Sequence, residues 1–96
     1  MRDVVSEILS KGNGYYNSED LSISYRDRLP SNPGLQGIVI TSIRSDIKGN
    51  FKELITLLEG TGLPVFFDQV QSERLRDILI LNGYVLIDKL NNTYQK

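Results

Sequence analysis

Three of the basic side chains and one glycine stand in the stretch where an apolar run passes into an amphipathic one. Arg44, Lys48 and Lys52 stand on either side of Gly49. The surrounding segment 37–58 predicts a buried strand, a short polar turn and a helix. The first N–H groups of a helix have no partner within it and carry a partial positive charge, so they suit an anion. The stretch predicts an anion-binding turn, although a tight structural turn followed by solvated lysines explains the same residues.

Carboxylates are the main groups left for proton transfer, because the chain contains no histidine and no cysteine. The absence of histidine and cysteine removes the commonest general base, thiolate chemistry and the commonest ligands of transition metals, so no metal site is predicted. Asp68 follows a predicted parallel strand, at the end of the sheet where open α/β folds collect functional groups. A turn residue at the end of a strand is the simpler interpretation of Asp68.

Charge and hydropathy argue against two classes of partner. The net charge of −1 and the scattered basic residues give no support for nucleic-acid binding. No apolar run approaches the length of a membrane span, and residues 1–10 carry early acids rather than the features of a signal peptide. The sequence predicts a single small domain in the cytoplasm that binds neither nucleic acid nor membranes.

Hydrophobic patterns predict the element order α-β-β-α-β-α-β. Residues Arg2–Leu9 carry a helical apolar face, and Leu21–Leu29 alternates as a half-exposed strand does. The run 30–34, rich in proline and glycine, is expected to end that strand. Gly37–Ile43 is apolar enough for a central strand, and the short connection predicts an antiparallel hairpin of the two.

A helix followed by a third strand predicts a right-handed parallel crossover. Apolar residues from Phe51 to Leu58 have helical spacing, and Asn50 and Glu53 have the spacing of a capping box. Leu63–Val70 is expected as the next core strand.

The C-terminal part predicts one more helix and strand. Ser72 is expected to cap the helix and Gly83 to end it. Tyr84–Ile87 is expected to form a strand, and Leu90–Lys96 to add a frayed edge strand.

Three phrases from Gly37 onward are similar to those of one family. They are a strand ending in ITSIRSD before IKGNFKELITLLE, the strand GLPVFFDQV, and the closing phrase SERLRDILILNGYVLI. The chain resembles the Gcn5-related N-acetyltransferase (GNAT) superfamily, as a small or degenerate member. The resemblance implies a mixed α/β acyl-CoA N-acyltransferase fold, in which an antiparallel hairpin leads into a splayed parallel strand pair. Residues 1–36 would form the N-terminal helix and first strand, and residues 37–96 the cofactor-binding core.

The resemblance implies acetyl-CoA as the cofactor, bound between the splayed strands with its pyrophosphate on backbone N–H groups of the turn Lys48–Lys52. Gly49 would let the backbone approach the phosphates closely. The candidate cofactor-binding residues are Ile43, Arg44, Lys48, Gly49, Asn50, Phe51 and Lys52.

Several positions depart from the family pattern. Phe51 stands where a second small residue is expected, and Asp46 stands where glutamine or arginine is expected. Leu79 occupies the position of the tyrosine that protonates the departing CoA thiolate in many members. The candidate acid is then Tyr84, with Tyr15, Tyr16 and Tyr94 as alternatives, and Asp68 is the candidate base. Other carboxylates that could serve as the base are Glu19, Asp20 and Glu73.

Three functional hypotheses follow. The first is an acetyl-CoA-dependent N-acetyltransferase acting on an unidentified amine. The second is a catalytically inactive GNAT-like module that binds a specific protein partner, for example a phage accessory protein in the host cytoplasm, since small stand-alone proteins of this kind often come from bacteriophage genomes. The third is an unrelated α/β domain that binds a regulatory ligand. A further alternative is a homodimer, in which a second subunit completes a shallow acceptor site.

Overall fold

In residues 2–45 and 49–96, which the computed structural model describes, the chain forms three helices and a six-stranded sheet. The elements in chain order are α1 (Arg2–Lys11), β1 (Gly14–Asn17), β2 (Leu21–Leu29), β3 (Asn32–Ser45), α2 (Asn50–Glu59), β4 (Val65–Phe67), α3 (Glu73–Leu81), β5 (Val85–Asp88) and β6 (Thr93–Gln95). None of the described helices has the length and apolar character that a membrane span needs.

The sheet is mixed, with the strand order β1-β2-β3-β4-β6-β5. Strands β3 and β4 are parallel, and every other neighbouring pair is antiparallel. The predicted α+β class, the hairpin of β2 and β3, and the parallel crossover through α2 are confirmed. The predicted element order lacked β1, which adds an antiparallel edge strand beside β2. The hairpin turn is tighter than expected, because β3 already begins at Asn32 within the proline- and glycine-rich run.

The last strand lies inside the sheet, so the prediction of a frayed edge strand over Leu90–Lys96 is wrong. Strand β6 pairs with β4 on one side and with β5 on the other. Its residues Thr93 and Tyr94 are 0% and 4% exposed. The chain reverses at Asp88, whose carboxylate accepts hydrogen bonds from the Leu90 and Asn91 N–H groups. This reversal inserts β6 beside β4 and leaves β5 as the terminal strand.

The two ends of α3 form as the sequence predicts. Ser72 Oγ accepts a hydrogen bond of 3.2 Å from the Leu75 N–H. At the other end Gly83 has a φ of 87°, and its N–H donates to the Ile80 carbonyl while the Tyr84 N–H donates to the Leu79 carbonyl. These two bonds define a Schellman motif, which a glycine at this position favours.

The start of α2 differs from the predicted capping box. Gly49 occupies the N-cap position with a φ of 97°, and no side chain caps the helix there. Asn50 is the first helical residue, so its side chain is not the cap. A glycine accepts this left-handed backbone conformation without the steric cost that a Cβ atom brings.

The main core lies between the helices and one face of the sheet. All three helices contribute to it, with Val4, Ile8, Leu54, Leu58 and Leu79 each 2% exposed or less. Burying each such side chain contributes about 1.5–3 kcal/mol relative to its exposed state. The alternate strand positions face the other side of the sheet, where a small cluster forms around Leu29, Val39 and Phe66.

Candidate cofactor-binding cleft

The parallel pair of β3 and β4 separates after three rungs. Ile38, Val39 and Ile40 pair with Val65, Phe66 and Phe67. The Asp68 N–H then donates to the Ile40 carbonyl at 2.9 Å, beyond the last paired rung. Strand β3 continues to Ser45, but no described strand pairs with this side of it after Ile40. A gap therefore opens between the carboxyl ends of two parallel strands.

Two backbone irregularities accompany the opening of this gap. Ser24 and Tyr25 of β2 pair with Ser42 and Ile40 of β3, so Thr41 is an extra residue and forms a β-bulge. Bulges bend a strand and are over-represented beside active sites. On the other side of the gap Gln69 has a φ of 55°, which is uncommon for a residue other than glycine.

The chain after β4 is bonded to the turn between β5 and β6. The Gln69 N–H donates to the Asn91 carbonyl at 3.0 Å, and the Val70 N–H donates to the Asn92 carbonyl at 3.1 Å. These two bonds hold the chain that follows β4 away from β3 and beside the turn between β5 and β6.

The gap forms a cleft of about 310 Å³. Its volume lies at the lower end of the range for small-molecule sites. The apolar part of the lining is Ile40, Ile43, Phe67, Val70 and Leu75. The polar part has slightly more residues and consists of Thr41, Ser42, Asp68, Gln69, Gln71 and Ser72. Polar groups beside an apolar wall can fix the orientation of a ligand.

Asp68 lines this cleft, and its side chain is bonded to a residue that the sequence analysis did not single out. Asp68 is only 4% exposed, and its Oδ1 accepts a hydrogen bond of 2.7 Å from Thr93 Oγ1. Thr93 is fully buried in β6. The sequence signal for Thr93 is a polar residue within a C-terminal strand. The residue that its hydroxyl contacts depends on the strand order of the sheet.

The candidate residues around the turn have different environments. Ile43 lines the cleft. Arg44 is exposed, and its Nη2 donates to Ser22 Oγ at 3.0 Å. Gly49 is exposed at the N-terminus of α2. Lys48 and Asp46 lie outside the described residues.

The first turn of α2 carries the remaining candidates. Asn50 is half-buried and Lys52 is exposed. Phe51 packs against the core, with its ring centroid 5.9 Å from that of Phe67. Since Phe67 lines the cleft, this contact holds the N-terminus of α2 near the same cleft.

Tyr84, the candidate acid, is not among the residues that line the cleft. It is 3% exposed, and its ring packs edge-on against Phe67 at 5.4 Å between centroids. The described residues provide no hydrogen-bond partner for its Oη. Burial raises the pKa of Tyr84, and the negative charge of Glu59 raises it further. The structure therefore brings Ile43 and Asp68 together at the cleft and places Tyr84 elsewhere in the core.

The chain was compared with protein-family models, with curated proteins and with solved structures, and none of the three comparisons gave a match.

Proposed function

We propose that this chain is a GNAT-like domain that binds acetyl-CoA in the cleft between β3 and β4 and transfers the acetyl group to an amine. The observation that carries the proposal is the parallel strand pair that separates after Ile40 and Phe67, beside the N-terminus of α2. The sheet order supports it, because an antiparallel hairpin of β2 and β3 leads directly into this parallel pair.

The residues at the cleft suit the parts of acetyl-CoA. The edge of β3 beyond Ile40 offers main-chain donors and acceptors to the amide groups of the pantetheine arm, much as an edge strand binds an extended peptide. The apolar wall formed by Ile43, Phe67 and Leu75 suits its methylene groups. The N–H groups at the start of α2 suit the pyrophosphate. A Cβ atom at Gly49 would have no heavy atom within 4 Å, so the space in front of this turn is open.

Bound acetyl-CoA would supply an activated acetyl group, so that an N–C bond forms with the amine as the thioester C–S bond breaks. Holding the amine beside the thioester provides much of the acceleration. The amine must also lose a proton, and Asp68 is the carboxylate that the cleft lining provides. The hydrogen bond from Thr93 Oγ1 fixes the orientation of this carboxylate.

The test of the binding step is calorimetry with acetyl-CoA and CoA. Wild-type protein is expected to bind both with micromolar affinity, and Gly49→Glu is expected to abolish binding because its carboxylate occupies the pyrophosphate position. The matched control is Gly62→Glu. Both glycines have positive φ angles, 97° and 77°, and open space for a Cβ atom, so the backbone strain is similar. Equal loss of affinity in both variants, or no binding by the wild type, would contradict the proposal.

The second candidate function is a binding module that keeps the cleft and lacks the chemistry. It is favoured by the position of Tyr84, since the described cleft lining contains no tyrosine. Release of free CoA thiol with a panel of amines separates the two candidates. The assay has no background from the protein, because the chain contains no cysteine. Binding of CoA without thiol release would favour the binding module.

A further inference from the structure

Most of the large apolar side chains that the described residues expose belong to one short segment, residues 80–90, which contains the terminal strand β5. Six of them come from the end of α3, from β5 and from the turn after it: Ile80, Leu81, Val85, Leu86, Ile87 and Leu90. We call this surface the β5 patch. The other exposed large apolar residues, Leu9, Tyr15 and Leu63, belong to three separate segments and are ordinary for a protein surface.

Strand β5 also has an unpaired main-chain edge. It is the terminal strand of the sheet and pairs only with β6 among the described strands. Exposed edge strands are usually protected by lysine, by proline or by other charged side chains. In β5 only the last residue, Asp88, is charged, and residues 85–87 carry none of these. A bulge at Ile87 interrupts the pairing of β5 with β6 between Leu86 and Asp88, and the strand is only four residues long, so the edge that β5 offers is short. A partner must therefore cover both apolar side chains and a short strand edge.

We propose that the β5 patch is the interface of a homodimer, in which β5 packs antiparallel against β5 of a second copy about a two-fold axis near Leu86. A second copy brings the same short strand edge and the same apolar side chains, which is the self-complementarity that a two-fold interface requires. In this arrangement Val85 lies opposite Ile87 of the other copy, so apolar residues face apolar residues.

The size of the β5 patch suits an interface with a second copy of the chain. The six side chains are between 41% and 90% exposed and together offer on the order of 500 Å², roughly a tenth of the 5867 Å² surface of the chain. Burying these side chains in two copies would remove about 1,000 Å² in total from water, close to the total area that a specific interface should exceed. An exposed apolar surface of this size on a monomer is often a binding site.

The charges around the β5 patch do not oppose self-association. Arg76 and Asp77 belong to the same helix as Ile80 and Leu81, and Asp88 and Lys89 stand between Ile87 and Leu90 in the chain, so both signs of charge accompany the patch. The net charge of −1 per chain also keeps the long-range repulsion between two copies small. The inference is independent of the proposed function, because the cleft lies between β3 and β4 and is separated from β5 by β6.

The first test measures molar mass by light scattering across the micromolar range. Wild-type protein is expected at twice the 10.9 kDa of one chain. Ile87→Lys is expected to be monomeric, while Leu63→Lys is expected to stay dimeric. These side chains are matched, at 43% and 46% exposed, so neither substitution should unfold the protein. Monomeric wild-type protein at high micromolar concentration, or an unchanged dimer of Ile87→Lys, would overturn the proposal.

The second test uses cross-linking by a single introduced cysteine. The chain has no cysteine of its own, so Leu86→Cys carries one thiol, which the two-fold axis places opposite its copy. Mild oxidation is expected to give a disulfide-linked dimer, because Cα atoms of directly opposed residues lie within the range that a disulfide spans. Tyr15→Cys, on the opposite edge strand β1, is the control and should give no disulfide-linked dimer under the same oxidation. A dimer that cross-links through Tyr15→Cys and not through Leu86→Cys would refute pairing through β5.

Discussion

Thr93 Oγ1 donates a hydrogen bond of 2.7 Å to Asp68 Oδ1, and this bond joins the interior strand β6 to the end of β4. The two residues are 25 positions apart in the chain, and both are almost fully buried. A carboxylate removed from water needs hydrogen-bond donors, which Thr93 provides. The bond also orients the carboxylate at the wall of the cleft, so the same contact serves the fold and the candidate site.

Replacing Thr93 tests what this bond contributes to stability. Thr93→Val keeps the shape of the side chain but leaves the buried Asp68 carboxylate without the donor, so we expect the free energy of unfolding to fall by about 1.5–3 kcal/mol. Thr93→Ser retains the hydroxyl and should lose less than about 1 kcal/mol. Urea denaturation of the three proteins measures the difference. Equal losses in both variants would mean that the hydroxyl contributes nothing.

Replacing Asp68 tests the proposed chemistry. Asp68→Asn can still accept the hydrogen bond from Thr93 but cannot take up the proton of an amine, so we expect kcat to fall by about 10²-fold or more. The KM for acetyl-CoA should change little, because the carboxylate is not proposed to bind the cofactor. Asp77→Asn, an exposed carboxylate of α3 outside the cleft lining, is the matched control for loss of charge. Equal activity of Asp68→Asn and wild type would exclude Asp68 as the base.

Gly37 tests how closely β3 approaches the segment before β4. A Cβ atom at Gly37 would overlap the Pro64 carbonyl oxygen, which accepts a hydrogen bond from the Ile38 N–H. Since both clashing groups belong to paired backbone, we expect Gly37→Ala to cost about 3 kcal/mol in the free energy of unfolding. Gly62→Ala, where the Cβ atom meets nothing within 4 Å, should cost only about 1 kcal/mol. A midpoint of thermal unfolding that is the same for both variants would contradict this explanation.

Tyr84 gives a prediction about alkaline pH. Its pKa is raised from the usual 10.0, so above that pH the unfolded chain loses a proton that the folded chain retains. The stability of the wild type should therefore fall as pH rises above 10, and it should fall less steeply in Tyr84→Phe. Tyr25, whose pKa is raised by burial and by the hydrogen bond to Glu7, is expected to supply the remaining slope.

The same variant has a second expected result at neutral pH. Since Tyr84 Oη is buried and the described residues leave it without a partner, its removal should leave the free energy of unfolding unchanged or raise it by up to about 1 kcal/mol. Urea denaturation at neutral and alkaline pH measures both effects. A loss of more than about 1 kcal/mol at neutral pH would show that the hydroxyl makes a stabilising contact.

Local chemistry made several elements predictable. Helix α3 begins after Ser72 because a serine oxygen can accept a hydrogen bond from a free helical N–H. It ends before Gly83 because a glycine can adopt the left-handed conformation that follows a helix. The alternation over Leu21–Leu29 predicted a strand that is confirmed over the same residues. The capping box was the local error, since Gly49 rather than Asn50 stands at the N-cap of α2.

The candidate site could be predicted only in part. Ile43 and Asp68 were expected near a cofactor, and both line the cleft. The bulge at Thr41 and the left-handed conformation of Gln69 were not expected, because both residue types also occupy regular strands. Thr93 was missed because no local signal links it to Asp68.

By itself the sequence determined the helices, the hairpin of β2 and β3 and the parallel crossover, because periodicity, caps and short connections act over a few neighbouring residues. Only the tertiary structure decided that β6 lies between β4 and β5, that Thr93 meets Asp68, and that the chain after Phe67 turns away from β3. These features depend on which distant strands become neighbours and in which register. That choice is made by the packing of the whole sheet against its helices, and residue spacing along the chain does not record it.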